Sequence, residues 1–343
     1  GATSQDVVDS ALMLLLKPSL AALNALLLRC RSAAIALMEA HAKTVMVGRT
    51  LMQQALPITF GVKVAHWAIG LEQSRRHLAE VELPVQFGGA VGVHSGWDNL
   101  GLEWMDALAE RLGLSAPVLP WHTDRYPIHA LSTALDAVAG AAEKIALDVS
   151  LLTQTEVGEV AEPSAPGMGE SSSMPHKRNP VRSALIKGAA RLVHGHTSVV
   201  MSAAAQPLER GLGEWHAEWA PLIESALLVE GALEQVAVLL EGLDVNAENM
   251  ARNLTATGGG IMAEPVARLL APTLGTEKAK AVSADAAETA RREARAYADV
   301  LSSHPDVKDV IDADALRDAC DPALYLGSSK EQVKRARAWL MSD

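Results

Sequence analysis

Between residues 170 and 180 the chain reads ESSSMPHKRNP. Ser171, Ser172 and Ser173 supply hydroxyls, Lys177 and Arg178 two cations, and Asn179 an amide, with glycines at 167 and 169 just upstream. Hydroxyl and amide donors grouped with cations suit an anionic ligand, above all one that carries carboxylates. Flanking glycines let such a loop close over what it binds, and closure can bring a serine or lysine to the reacting atom as acid or base. A solvated surface loop is the other reading of the same composition. A second polar group, Thr3-Ser4-Gln5-Asp6, stands at a helix start. Its hydroxyls can cap the helix, and the unpaired N–H groups there also favour a carboxylate.

Helices must position these loops. Apolar residues make up 49% of the 343 but aromatics only 3%, so the core is built from Ala, Leu and Val and the fold is expected to be all-α. Helical spacing predicts segments at 6–16 and 19–41, separated at Pro18, then at 57–81, 98–112, 128–154, 180–205 and 221–243. The last of these is apolar on nearly every side and belongs at the centre of a bundle. Beyond 244–253 the helices are shorter and more charged, which predicts a bundle domain at 1–245 and a smaller helical domain at 246–343. The glycine-rich stretch PVQFGGAVGV at 84–93 is not a dinucleotide-binding turn, because it lacks the GxGxxG spacing and follows a helix.

Net charge is −11 with no run of lysine and arginine, which excludes nucleic acid and anionic membrane as the expected partners. Glutamates at 224, 230, 234 and 241 interrupt the apolar stretch 222–243, so no membrane span is expected there or elsewhere. Cys30 and Cys320 form no metal-type cluster, which leaves a reduced, cytoplasmic setting as the default. No His, Cys and carboxylate spacing calls for a metal, and no cofactor is expected.

Three segments together are more specific than any one. SSSMPHKRNP resembles the serine loop of the fumarase/aspartase superfamily, GATSQD its first motif, and GRTLMQQALPITFG at 48–61 its second, in the family's order. The resemblance implies a homotetramer around a bundle of long helices, with each active site assembled from three subunits. Members usually carry a further helical domain before the first motif and a histidine two residues before its glycine. The chain therefore looks like the back three-quarters of a member, with the N-terminal domain apparently missing.

Many members have a histidine after the Arg-Thr of the second motif; Leu51 stands there. Leucine cannot transfer a proton. PWHTDR at 120–125, TEVGEVAEPSAPG at 155–167, WHAEW at 215–219 and DPALYLG at 321–327 look like the lactonising branch, the 3-carboxy-cis,cis-muconate cycloisomerases. Glu170 departs from that branch's glycine. The resemblance implies a small tricarboxylate substrate whose carboxylates Thr3, Ser4, Lys177 and Asn179 bind. Arg49, Gln53 and Arg125 would orient it, and Ser171 or Ser172 would stand at the reacting carbon. His122 and His216 are the candidate proton donors, though each histidine alone fits a structural hydrogen-bonding role equally. The rival expectations are an adenylosuccinate-lyase-like C–N lyase and a helical scaffold without activity.

Overall fold

The computed structural model describes residues 1–164, 169, 173–174, 176–308 and 310–342, so Ser171 and Ser172 lie outside the described residues. Among the described residues the fold is all-α apart from two small antiparallel strand pairs and an isolated bridge between Pro84 and Ser115. It divides into two compact units: Gly1–Ala33, Trp67–Ser150 and Pro163–Gly242 form one; Ala34–His66, Leu151–Glu162 and Leu243–Asp343 form the other. The second unit starts its long stretch near the expected boundary at 245. It also takes in 34–66 and 151–162, which a division read along the chain assigned to the bundle.

The first unit holds most of α1 (Ser4–Ala40) and α2 (Phe60–Ala79), with α3 (Gly101–Leu112), α4 (Tyr126–Leu152), α5 (Val181–Ser202), the single turn α6 (Glu214–Ala217) and α7 (Trp219–Gly242). Buried positions recur every three or four residues: Ile128, Leu131, Leu135, Val138, Ile145 and Val149 on α4, and Ile186, Ala190, Val193, Thr197 and Val200 on α5. That is the period of a helix with one face in a core.

Two helix boundaries differ from expectation. α1 runs through Pro18 without a break. Met13 and Leu16 before the proline and Leu23 and Leu27 after it are all buried, so continuous packing outweighs the roughly 3 kcal/mol cost of an internal proline. The second helix starts at Phe60 rather than Pro57, and Pro57 instead sits in a strand beside a register shift, where its missing N–H is tolerated. α1 is also long and apolar enough, by length and composition alone, to cross a bilayer, which the sequence expectation missed. A core helix passes the same test, and α1 carries Asp6 and Asp9 buried among polar partners.

The second unit contains β1 (Val45–Thr50) paired with β2 (Gln53–Thr59), and β3 (Val160–Ala161) paired with β4 (Asp244–Val245). α8 (Ala247–Asn253), α9 (Ala263–Leu274), α10 (Thr276–Glu293), α11 (Tyr297–Ser303), α12 (Ala313–Cys320) and α13 (Ser329–Leu340) complete it. Val47 of β1 lies in one core with Ile261, Met262, Leu270, Val282 and Leu301. This shared core is why the hairpin groups with the C-terminal helices.

Two sets of charges tie the helices of the first unit. Arg125, just before α4, is fully buried between Asp9 of α1 and Glu218 at the α6–α7 junction. Its Nη1 and Nη2 donate to Asp9 at 2.7 and 3.2 Å; its Nη2 and Nε donate to Glu218 at 2.7 and 3.1 Å. Trp215 Nε1 adds a bond to Asp9 at 2.9 Å and Gln206 Nε2 one to Glu218 at 3.0 Å. Elsewhere in the first unit, His194 of α5 faces two carboxylates of α4, Asp136 at Nδ1 (2.5 Å) and Glu143 at Nε2 (3.2 Å). Its hydrogen bond with Asp136 is the main reason that its pKa is raised above the ordinary 6.5, against the opposing effect of burial.

Both sets make predictions. Arg125→Met leaves two buried carboxylates without their cation and should cost about 3–5 kcal/mol in urea denaturation; a loss within experimental error would refute the triad's role. For His194, the folded pKa exceeds the unfolded one, so its stabilisation is complete below about 6.5 and is lost as pH rises through the folded value. The melting temperature should therefore fall over that rise in the wild type and much less in His194→Gln. Parallel pH profiles for the two proteins would contradict this.

Candidate active site

α1 begins with one half of a capping box. Thr3 is the cap, and Asp6, three residues on, reaches back to accept from the Thr3 N–H at 3.0 Å. The same carboxylate accepts the backbone N–H groups of Gly88 at 3.0 Å and Gly89 at 2.9 Å, and meets His122 Nε2 at 2.7 Å. Burial alone would push the Asp6 pKa up; the bonds from His122, Thr3 and Gly89 together outweigh it and hold the pKa below its ordinary value. Asp6 is thus an ionised orienting group for His122.

The glycine loop is shaped to admit this pair. A Cβ on Gly88 would lie 2.6 Å from Pro120 Cβ and 2.9 Å from His122 Cε1, and Gly89 has a left-handed φ of +73°. Both positions therefore need glycine. The stretch that failed as a dinucleotide turn is the wall against which His122 packs. Gln5 Nε2 donates to the His122 carbonyl at 2.8 Å and to Asp9 at 3.2 Å, which joins this group to the Arg125 triad.

The other expected residues divide clearly. Arg125, expected to orient the substrate, has each nitrogen committed: beyond Asp9 and Glu218, Nη1 reaches the Trp121 carbonyl at 3.5 Å. Its five donors meet as many acceptors, so within the chain it holds Asp9 and Glu218 in place. Thr3 is half-buried and Ser4 exposed at the head of α1. Lys177 is exposed, and Asn179 is half-buried with its N–H donated to the Gly169 carbonyl at 2.8 Å. His216 is exposed, its ring 5.1 Å from that of Trp215 and 4.8 Å from that of Trp219. Ser171 and Ser172 are not described.

Arg49 and Gln53 belong to the second unit. Arg49 makes a two-pronged pair with buried Glu159 at 2.9 and 2.7 Å, and Asn253 Nδ2 donates to the same carboxylate at 2.7 Å. Its substrate-orienting role would thus fall to what is left of a half-buried guanidinium. Between Arg49 and Gln53 the hairpin turns on Leu51 (φ +48°) and Met52 (φ +66°), both left-handed, with Leu51 98% exposed. A two-residue hairpin turn of this kind favours Asn-Gly; two apolar residues there carry strain of order 1–2 kcal/mol each.

Sequence reasoning missed Asp9, Glu218, Gln206 and Glu159, which hold the expected residues in place. Glu218 and Glu159 lay within segments singled out, WHAEW and TEVGEVAEPSAPG, but nothing in their residue type signalled a buried partner. Among the described residues no group of three or more His, Cys, Asp or Glu side chains is placed to hold a metal ion.

The chain as a whole is similar to known proteins. Residues 1–195 match the family model described as lyase, and residues 259–336 that described as adenylosuccinate lyase C-terminus. The chain is 43% identical to the 3-carboxy-cis,cis-muconate cycloisomerase of Pseudomonas aeruginosa, over 98% of this chain and 74% of that protein. It is 42% identical to the nitrosuccinate lyase of Streptomyces davaonensis, over 98% and 73%. The crystal structure of the 3-carboxy-cis,cis-muconate lactonizing enzyme from Pseudomonas putida superposes with a TM-score of 0.92 at 40% identity, covering 99% of this chain and 76% of that one. With family match, near-full-length identity and fold in agreement, the chain belongs to the lyase family of the fumarase/aspartase superfamily.

Proposed function

We propose that the protein is a cycloisomerase that lactonises 3-carboxy-cis,cis-muconate to 4-carboxymuconolactone. The observation that carries this reading is Leu51 at the exposed tip of the second motif. An apolar residue stands where superfamily members with elimination chemistry place a titratable histidine, and relatives named for the cycloisomerase match nearly the whole chain.

The reaction asks little nucleophile activation of the protein. One substrate carboxylate oxygen forms a C–O bond to an alkene carbon. The π electrons move to the neighbouring carbon and are held by its carboxyl group as an aci-carboxylate, and a proton then adds to that carbon. The enzyme must hold the substrate folded, stabilise the aci-carboxylate and deliver the proton. Lys177, Asn179, Thr3 and Ser4 are assigned to the carboxylates, and Ser171 or Ser172 to the reacting carbon, on the motif match. His122, aimed by Asp6, and His216, exposed against two indoles, are the two candidate donors.

Self-association is part of the proposal. α5 and α7 pack side by side and leave a groove of about 490 Å³ lined by Ala184, Gly188, Ala189 and Gly231, with Leu185, Leu192 and Leu227 exposed at its edges. A tetramer around these helices would bury that apolar surface. Both cysteines are free, and burial pushes Cys30 up to about 12 and Cys320 to about 11, which suits a reducing cytoplasm. The second reading is a C–N lyase, favoured by the 42% identity to the nitrosuccinate lyase beside 43% to the cycloisomerase.

Four measurements test this. Light scattering should give about four times the 36.2 kDa chain mass, and a monomer at micromolar concentration would count against the assembly. Ultraviolet assays with 3-carboxy-cis,cis-muconate, nitrosuccinate and adenylosuccinate should show turnover of the first. Lys177→Ala should then lose about 2–4 kcal/mol of transition-state stabilisation, roughly 30- to 1000-fold in rate; activity within about threefold would exclude the loop. Leu51→His should not raise turnover of any of the three. If it sharply raises C–N cleavage while lactonisation is absent throughout, the lyase reading replaces this one.

A further inference from the structure

The second unit holds an arginine whose donors are only partly spent. Glu159, next to β3, is fully buried, and its main chain is held on both sides: its N–H donates to the Leu152 carbonyl at 2.9 Å and its carbonyl accepts the Asn246 N–H at 2.9 Å. Asn253 Nδ2 donates to its Oε1 at 2.7 Å and to the Val157 carbonyl at 2.9 Å. The carboxylate is thus fixed independently of Arg49, and it locates a guanidinium that would otherwise sample many rotamers.

A guanidinium presents two forks to a carboxylate, one end-on through Nη1 and Nη2 and one along its side through Nε and Nη2. Glu159 occupies the end-on fork of Arg49, at 2.9 Å from Nη1 and 2.7 Å from Nη2. The other N–H of Nη1 leans towards the Val47 carbonyl at 3.4 Å. Nε and the second N–H of Nη2 meet no acceptor among the described residues. This edge is not sealed in the core: Nε is open to solvent, and the side chain as a whole is 23% exposed. Glu159 also cancels the charge of Arg49 at contact distance. What the free edge offers a ligand is therefore chiefly direction, two parallel donors in one plane, with little net attraction.

We propose that Glu159 is a positioning residue for the reaction: by filling one fork of Arg49 it fixes the other as a planar receptor for a single carboxylate of the substrate. The inference rests on the reading of the substrate as a small polycarboxylate, and it shows how Arg49, with one edge spent, can still orient it.

Calorimetric titration with propane-1,2,3-tricarboxylate, which has no double bond to lactonise, tests this apart from turnover. Saturable binding to the wild type is expected. Arg49→Lys keeps the charge and can still pair with Glu159, but it has no second fork, so affinity should fall about tenfold or more. Glu159→Gln keeps the shape and leaves Arg49 an uncompensated cation. Its affinity for the tricarboxylate should drop more steeply than that of the wild type as ionic strength rises from about 0.03 to 0.3 M. Its kcat for lactonisation should fall about tenfold or more, because the guanidinium no longer holds one orientation. A purely structural Glu159 would lower the melting temperature or the bound stoichiometry and leave the salt dependence as in the wild type. No saturable binding to the wild type, unchanged affinity in Arg49→Lys, or a wild-type salt dependence in folded Glu159→Gln overturns the proposal. If Glu159→Gln does not fold, Arg49→Lys decides. A wild type that binds the tricarboxylate through Arg49 yet does not lactonise 3-carboxy-cis,cis-muconate would sink the cycloisomerase reading and leave this one standing.

Discussion

A guanidinium buried between two buried carboxylates constrains the candidate site more than any other interaction. Arg125, Asp9 and Glu218 join three places that lie far apart in sequence: the first turns of α1, the turn before α4 and the α6–α7 junction. Burying three charges is costly unless every donor and acceptor is met, and here all five donors are. The helices therefore have little freedom to slide past one another. Asp6 precedes Asp9 by one helical turn, so the same face of α1 that grips Arg125 also aims His122. Trp215 donates to Asp9, which sets where the neighbouring His216 emerges. One salt-bridge triad thus fixes both candidate proton donors.

The second motif obeys the opposite logic. Its strands are pinned by a buried core and by Arg49 against Glu159, yet its tip holds two apolar residues in left-handed backbone with one almost fully exposed. Glycine or asparagine would relieve that strain. A turn that keeps leucine and methionine there gives up stability, which is the pattern of a segment retained for contact with something other than its own unit.

Much of this was legible in the sequence. The bundle helices followed from apolar spacing, and the serine loop and its two companion motifs from their residue types and order. What failed has identifiable causes. Pro18 was read by local rules, whereas continuous burial on both sides of it decides the helix; Pro57 was read as a helix start, whereas a strand irregularity accommodates it. That Val47 shares a core with residues about two hundred positions later is a long-range pairing that local patterning does not record. The buried carboxylates Asp9, Glu159 and Glu218 carry no local mark, because an acid's burial depends on which arginine the fold brings to it. Arg125 stood out by its motif, but residue type alone does not show that its donors meet Asp9, Glu218 and the Trp121 carbonyl.

The same frame serves more than one chemistry for a physical reason. Adding a carboxylate oxygen across a conjugated alkene and eliminating a heteroatom group beside a carboxylate both pass through a carbanion that a carboxyl group must stabilise. Cationic and amide donors in a closing loop answer that shared demand. The reactions part company only over the proton and the nucleophile. Elimination calls for groups that remove a proton and assist a leaving group, whereas lactonisation brings its nucleophile within the substrate and needs one donor and a surface that excludes water. An apolar tip at Leu51 and a histidine held in one orientation, as Asp6 holds His122, would suit the second set of demands. The near-equal identity to a lyase and to cycloisomerases is then no contradiction, because most of the sequence encodes the frame and only a few positions encode the choice.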